Sequence, residues 1–106
     1  MEALARRVQH QLRMVLSEWY SWLSARALRE LDWMQVPWWA KRLPDRLDIP
    51  WALHDLNVYY DNPFMVKTLY IIVDEAYLNA KDLDGVPDMT MLHETVTALY
   101  EASQDA

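Results

Sequence analysis

Apolar residues recur along this chain at intervals of three and four, the spacing of one face of an α-helix. From residue 63 onward, Met65, Val66, Leu69, Ile72, Val73, Ala76, Tyr77 and Ala80 share one wide arc at about 100° per residue. Lys67, Thr68, Glu75, Asn79, Lys81 and Asp82 lie on the other side. So wide an arc meets several neighbours at once, which makes this segment the expected central core helix. Its start is marked by Asn62-Pro63, an N-cap followed by a proline whose missing N–H costs nothing in the first turn. Gly85, with Pro87 two residues on, is expected to close it in the left-handed C′ conformation. Asp48-Ile49-Pro50 opens a preceding helix in a similar way, so residues 50–85 are expected to form a helix pair joined at Tyr60-Asp61-Asn62-Pro63.

Upstream, residues 2–35 contain neither Gly nor Pro, and one long helix is expected there. Leu4, Val8, Leu12, Val15, Trp19, Trp22 and Leu23 form its apolar stripe. After Ser24 the phase changes, and Ala27, Leu31 and Met34 mark a new apolar centre roughly 120° round the axis. Either the helix breaks near Ser24, or it runs straight and changes packing partner, leaving part of the Trp19/Trp22 surface to another chain. Residues 36–49 read as a Pro-bracketed connector in which Pro37 starts one short turn and Pro44 discourages its continuation. Trp38 and Trp39 cannot both face the same way on so short an element, so one is expected in the core and the other partly exposed. The last helix starts at Asp88 or Thr90 and buries Met89, Leu92, Val96, Leu99 and Tyr100, with Ser103 to Ala106 expected to fray. The fold class is therefore all-α: a compact bundle of four to five helices, the first one long. It makes a single domain, residues 1–106, with an N-terminal helical arm (1–35), a Trp/Pro connector (36–49) and a three-helix core (50–106).

Composition narrows the picture. With no Cys there is no disulfide scaffold and no thiolate metal site. No apolar run reaches the roughly 18 residues a membrane span needs. Arg6 and Arg7 are not followed by a signal-peptide apolar block, and a cytoplasmic location is expected. Six Trp, six Tyr and six Met are a heavy load for 106 residues, and these are also residue types enriched at interface centres. The net charge of −6 is unevenly spread. Residues 1–46 hold eight basic and five acidic side chains (+3), and residues 47–106 hold two basic and eleven acidic (−9). Two solvated faces would explain this, as would a basic helix facing an acidic partner or an acidic surface meeting a basic protein. Net negative charge opposes approach to phosphates, so nucleic-acid contact is left only to a local Arg6/Arg7/Arg13/Arg26/Arg29 patch.

There is no Gly-rich phosphate loop, no His-Glu-x-x-His and no nucleophile elbow. The residues that could do chemistry are His54-Asp55 with Tyr59, followed by Asp74 on the next helix. His-Asp-x-x-x-Tyr on one helix, with an Asp twenty residues after the His on an antiparallel helix, is similar to the helix pair of the prokaryotic phospholipase A2 class. That resemblance implies His54 as the base that activates water, Asp55 as a calcium ligand and Asp74 as the carboxylate orienting the His. The calcium loop of that class uses Gly and carbonyl ligands ahead of the His, whereas this chain has no Gly before Gly85. A second resemblance covers residues 36 to 87. Val36-Pro37-Trp38-Trp39, Ala52-Leu53-His54-Asp55, Val73-Asp74-Glu75-Ala76-Tyr77-Leu78-Asn79-Ala80 and Gly85-Val86-Pro87 resemble the pattern of a phage-borne family of uncharacterised function. It implies a viral or prophage origin rather than an activity.

The expectation that follows is a non-catalytic protein-binding module that occupies a partner's surface, as an inhibitor would. Its partner-binding residues are expected to be Arg6, Arg7, Arg13, Trp19, Trp22, Trp38, Trp39 and Arg42. A homodimer through the N-terminal helix is a further expectation, two-fold dimers being the commonest oligomers. No cofactor and no resident metal are expected. Hydrolysis through His54, Asp55 and Asp74, and nucleic-acid contact through the Arg patch, are the alternatives.

Overall fold

In the computed structural model of the chain, residues 2–104 are described. They fold into helices α1 (Glu2–Ala27), α2 (Glu30–Gln35), α3 (Trp38–Leu47), a π-helical turn (Asp48–Leu53), α4 (Leu56–Tyr59), α5 (Pro63–Ala80) and α6 (Thr90–Gln104), with no strand among them. The protein is an all-α bundle whose body is α1, α3, α5 and α6. It measures 48 × 24 × 19 Å, and the long dimension is set by α1, whose 26 residues span about 39 Å. No helix among the described residues is long and apolar enough to cross a membrane.

The core follows the expected stripes in part: on α1, Val8, Leu12 and Trp19 are buried as expected, Ala5 and Leu16 join them, and Leu4, Val15, Trp22 and Leu23 are only partly buried. Ala5, Val8, Leu12, Leu16 and Trp19 of α1 meet Val66, Leu69, Ile72, Val73 and Ala76 of α5 and Leu92, Val96 and Leu99 of α6 in one buried cluster. Asn62 caps α5 as expected, its side chain accepting from the N–H groups of Phe64 and Met65. Asp88 opens α6, its carboxylate accepting from Thr90 N at 2.9 Å. The C-terminal turn is docked where fraying was expected: Ser103 is buried, and Gln104 Nε2 donates to Pro63 O at 3.2 Å. Asp105 and Ala106, the rest of that expectation, lie outside the described residues.

Four local expectations are corrected. The helix expected over residues 2–35 is not continuous: of the two alternatives it takes the break, with α1 ending at Ala27, three residues past Ser24, and Arg29 extended at φ −126°, ψ 124°. The phase change precedes the break because α2 must turn before Trp33 can reach the core. A six-residue helix offers the body one face, and Trp33 takes it. Leu31 and Met34, expected as a new apolar centre, therefore face solvent at 74% and 70% exposure.

The connector is a full helix that passes through Pro44. A proline there has no N–H for the carbonyl one turn earlier, that of Ala40. Trp19 Nε1 donates to Ala40 O instead, at 2.9 Å in a fully buried setting. The helix survives its proline because α1 supplies the missing donor.

The helix expected from Pro50 to the Asn62-Pro63 turn is two pieces. Pro50 cannot extend the i→i−4 ladder, and the backbone widens into the π turn. His54 then goes extended (φ −76°, ψ 159°), and Asp55 caps a new short helix by accepting from Asn57 N at 2.9 Å. Asp is a stronger N-cap than helix interior, and here it starts α4 rather than continuing a helix. Finally, α5 ends at Ala80 with Lys81 as its cap, so Gly85 is not its C′ residue. Gly85 bends the following loop at φ +74°. Arg26 holds that loop to α1, its Nη2 donating to Asp84 O at 2.8 Å.

Candidate functional site

The histidine that meets Asp74 is His93, not His54. Helices α5 and α6 run antiparallel, and each carries a polar-aromatic edge at intervals of four and three: Tyr70, Asp74, Tyr77 on one, His93, Thr97, Tyr100 on the other. Antiparallel packing lays the two edges together. Tyr70 stacks on Tyr100 at 4.5 Å and Tyr77 on His93 at 4.3 Å, with ring planes within 8° and 12° of parallel. His93 Nε2 lies 2.8 Å from Asp74 Oδ1, both side chains being partly exposed. With the carboxylate accepting, Nε2 carries the proton and Nδ1 is the ring's free nitrogen.

This dyad has the first two parts of a base-and-orienter pair but no nucleophile at hand. Thr97, the hydroxyl nearest in sequence on that edge, donates to the His93 backbone carbonyl at 2.7 Å. No hydroxyl among the described residues is hydrogen-bonded to the His93 ring. The stacked Tyr77 closes one of the ring's faces. The arrangement suits a structural rivet between α5 and α6 in which an aromatic platform and a carboxylate fix the imidazole. Two polar-aromatic i, i+4, i+7 edges in helices joined by a nine-residue loop were the signal for it in the sequence.

His54 and Asp55, by contrast, sit on the extended hinge between the π turn and α4, both exposed. The His54 ring lies edge-on to Tyr59 at 5.3 Å. The Asp55 carboxylate caps α4, and among the described residues no group of three or more His, Asp or Glu converges on a metal position. Asp74 is hydrogen-bonded to His93, and no hydrogen bond or ion pair among the described residues joins His54 or Asp55 to it.

What holds the hinge is α1. The π turn ends with open carbonyls, and Gln9 Nε2 donates to Trp51 O (3.3 Å) and His54 O (2.6 Å) while Arg13 Nε donates to Ala52 O at 2.7 Å. Tyr60 Oη adds a further bond to Trp51 O at 2.8 Å. Burial pushes the Tyr60 phenol well above its ordinary range, so it stays a donor. Arg13 therefore works as a helix-end clamp, its charge lying where a helix C-terminus favours a cation. Beside it runs a groove of 530 Å³ lined by Arg6, Gln9, Arg13, His54 and Asp55 among others. Its charges are mixed, with Arg6 itself paired to Glu2 at 2.7 Å.

The arginine patch is dispersed in the same manner. Arg26 lies 5.0 Å over the Trp22 ring as well as bonding the Asp84 carbonyl, and Arg29 is 3.9 Å from Asp32. Of the five, Arg7 is the one whose side chain makes no hydrogen bond, ion pair or ring contact among the described residues. Trp19 is a core residue at 0% exposure. Trp22 and Trp39 are half-buried and pack against it, with ring centres 5.8 and 6.0 Å away. Of the residues expected at a partner surface, Trp19, Trp22 and Trp39 pack within the molecule, while Arg6 and Arg13 stay exposed with their side chains bonded to Glu2 and to the Ala52 carbonyl.

Trp38 is the exception. It is 72% exposed, and the Arg42 guanidinium lies over its ring at 5.4 Å. With Leu28, Leu31 and Met34 (86%, 74% and 70%) it makes up four of the five most exposed large hydrophobics of the described chain. All four fall within residues 28–38, the shoulder formed by α2 and the start of α3. Lys41, held over Trp33 at 4.4 Å, and Arg42 give that shoulder a basic margin.

The chain matches no family model, no curated protein and no solved structure.

Proposed function

We propose that this chain is a non-catalytic protein-binding module whose contact surface is the α2–α3 shoulder. One observation carries the reading: four large apolar side chains stand out from a single 11-residue segment, each at least 70% exposed, and they are four of the five most exposed large hydrophobics among the described residues. Single exposed hydrophobics need no explanation, but a cluster of this kind favours contact with another surface. Trp and Arg are the commonest energetic anchors of protein interfaces, and Trp38 and Arg42 are already stacked. A ring held in place by a guanidinium loses less freedom on docking. The matching partner is a protein with an apolar pocket beside a carboxylate, and binding acts by covering that pocket.

The test is capture from lysate of the source cells on immobilised protein, with wild type, Trp38→Ala and Leu31→Ser side by side. A partner retained by wild type and lost by both variants is the expected result. Capture that survives both substitutions refutes the shoulder as the surface. His54→Ala serves as the comparison, since on this reading it leaves capture intact. The hydrolytic alternative, in the form that joins His54 to Asp74, requires Asp74 to leave His93. Calcium-dependent cleavage of a chromogenic ester, abolished by His54→Ala in folded protein, would revive it.

A further inference from the structure

We infer that the outer face of α5 pairs two copies of this chain, antiparallel, about a two-fold axis at Ile71. The solvent-facing stripe of this helix is Phe64, Lys67, Ile71, Glu75 and Leu78, all exposed. On a helix that already buries six residues inward, such a stripe is ordinarily polar. Here Phe64, Ile71 and Leu78 are exposed at 73%, 50% and 53%. They stand seven residues apart, so about 10 Å separates each from the next along one line.

The stripe is symmetric about its centre. Phe64 lies seven residues before Ile71 and Leu78 seven after; Lys67 lies four before and Glu75 four after. A two-fold axis crossing the helix at Ile71 therefore sets Phe64 against Leu78 of the second copy and Ile71 against itself. It also sets Lys67 against the Asp74–Glu75 end of the second copy, and does so twice. A parallel pairing would oppose Lys67 to Lys67 and Glu75 to Glu75, so charge selects the antiparallel arrangement. A two-fold interface has to be self-complementary, and this face is, in both its apolar and its charged positions. The shoulder around Trp38 has no such symmetry: Glu30 and Asp32 lie on α2, and Lys41 and Arg42 on α3. The α5 face therefore suits a second copy and the shoulder a different protein.

One helix face about 21 Å long buries close to the lower limit of stable interfaces, roughly 1,000 Å² in total. The dimer is accordingly weak and exchanges at micromolar concentrations.

Sedimentation velocity across a series from about 1 µM to about 1 mM tests this. Wild type is expected to move from monomer to dimer over that range. Ile71→Glu, which places two carboxylates on the axis, is expected to weaken association at least about tenfold with an unchanged far-UV CD spectrum. Lys67→Glu is expected to weaken it too, and Lys67→Glu with Glu75→Lys to restore it, because the swap preserves the opposition of charges. Cross-linking fixes the register. The chain has no Cys, so Ile71→Cys should give a disulfide-linked dimer under mild oxidation much faster than Met91→Cys, an exposed position on another helix. A wild type that stays monomeric throughout overturns the inference. So does a charge swap no better than Lys67→Glu, or equal cross-linking at positions 71 and 91.

Discussion

The bond from Trp19 to Ala40 allows a test in which one residue's loss is repaired by another's removal. Trp19→Phe takes away the indole donor and part of the ring. Pro44 has no N–H to offer, so Ala40 O is left without a donor in a site where both Ala40 and residue 19 are fully buried. A buried carbonyl in that state costs about 1–3 kcal/mol. The smaller ring leaves a cavity worth about 1 kcal/mol more. The sum, about 2–4 kcal/mol, is a large share of the roughly 5–15 kcal/mol that stabilises a domain of this size. It corresponds to a fall in Tm on the order of 10–20 °C. Pro44→Ala puts an N–H back one turn after Ala40, where an unbroken helix would have it. In that background Trp19→Phe should cost only the cavity, about 1 kcal/mol, so the two substitutions should couple by about 1–3 kcal/mol. Urea unfolding followed by far-UV CD is the right measurement, since five other tryptophans would confuse fluorescence. Coupling below about 0.5 kcal/mol, the scatter of ordinary additivity, would refute the claim that Trp19 stands in for the proline's missing donor.

Two pH effects follow from the hydrogen bonds at helix ends. The Thr90 N–H holds the Asp88 carboxyl below its usual value, so the stabilisation is present above about pH 4 and is lost as pH falls through the lower folded value. Asp88→Asn keeps a capping oxygen that does not titrate, and its Tm should fall less steeply in acid; equal slopes in a thermal-melt series would sink this reading. Tyr60 works in the other direction: burial raises its pKa, the folded state keeps the proton longer than the unfolded state does, and stability should decline as pH rises above about 10. Tyr60→Phe should flatten that alkaline limb while costing about 1 kcal/mol at neutral pH for the lost donor to Trp51 O, both measurable by urea titration. An alkaline limb left unchanged by the substitution would count against a proton held by burial.

Periodicity alone was enough for three of the four helices that make the body, α3 being the exception. The stripes of α1, α5 and α6 and the Asn62 and Asp88 starts are local features, since spacing and capping depend on residues within one or two turns. They determine an all-α chain with a long first helix and a central α5. Tertiary structure decided what depends on residues distant in sequence. Pro44 reads as a stop until α1 brings an indole 25 residues upstream to the orphaned carbonyl. Arg13 reads as a free cation until the π turn presents its open carbonyls 39 residues downstream. Asp74 stands twenty residues from one histidine and nineteen from another, and spacing could not choose between them. The antiparallel register of α5 and α6 chose His93, while the cap at Asp55 broke the helix that would have carried His54. A side chain's chemistry is fixed by its type, but whether it is free to act depends on which backbone groups the fold leaves unsatisfied beside it.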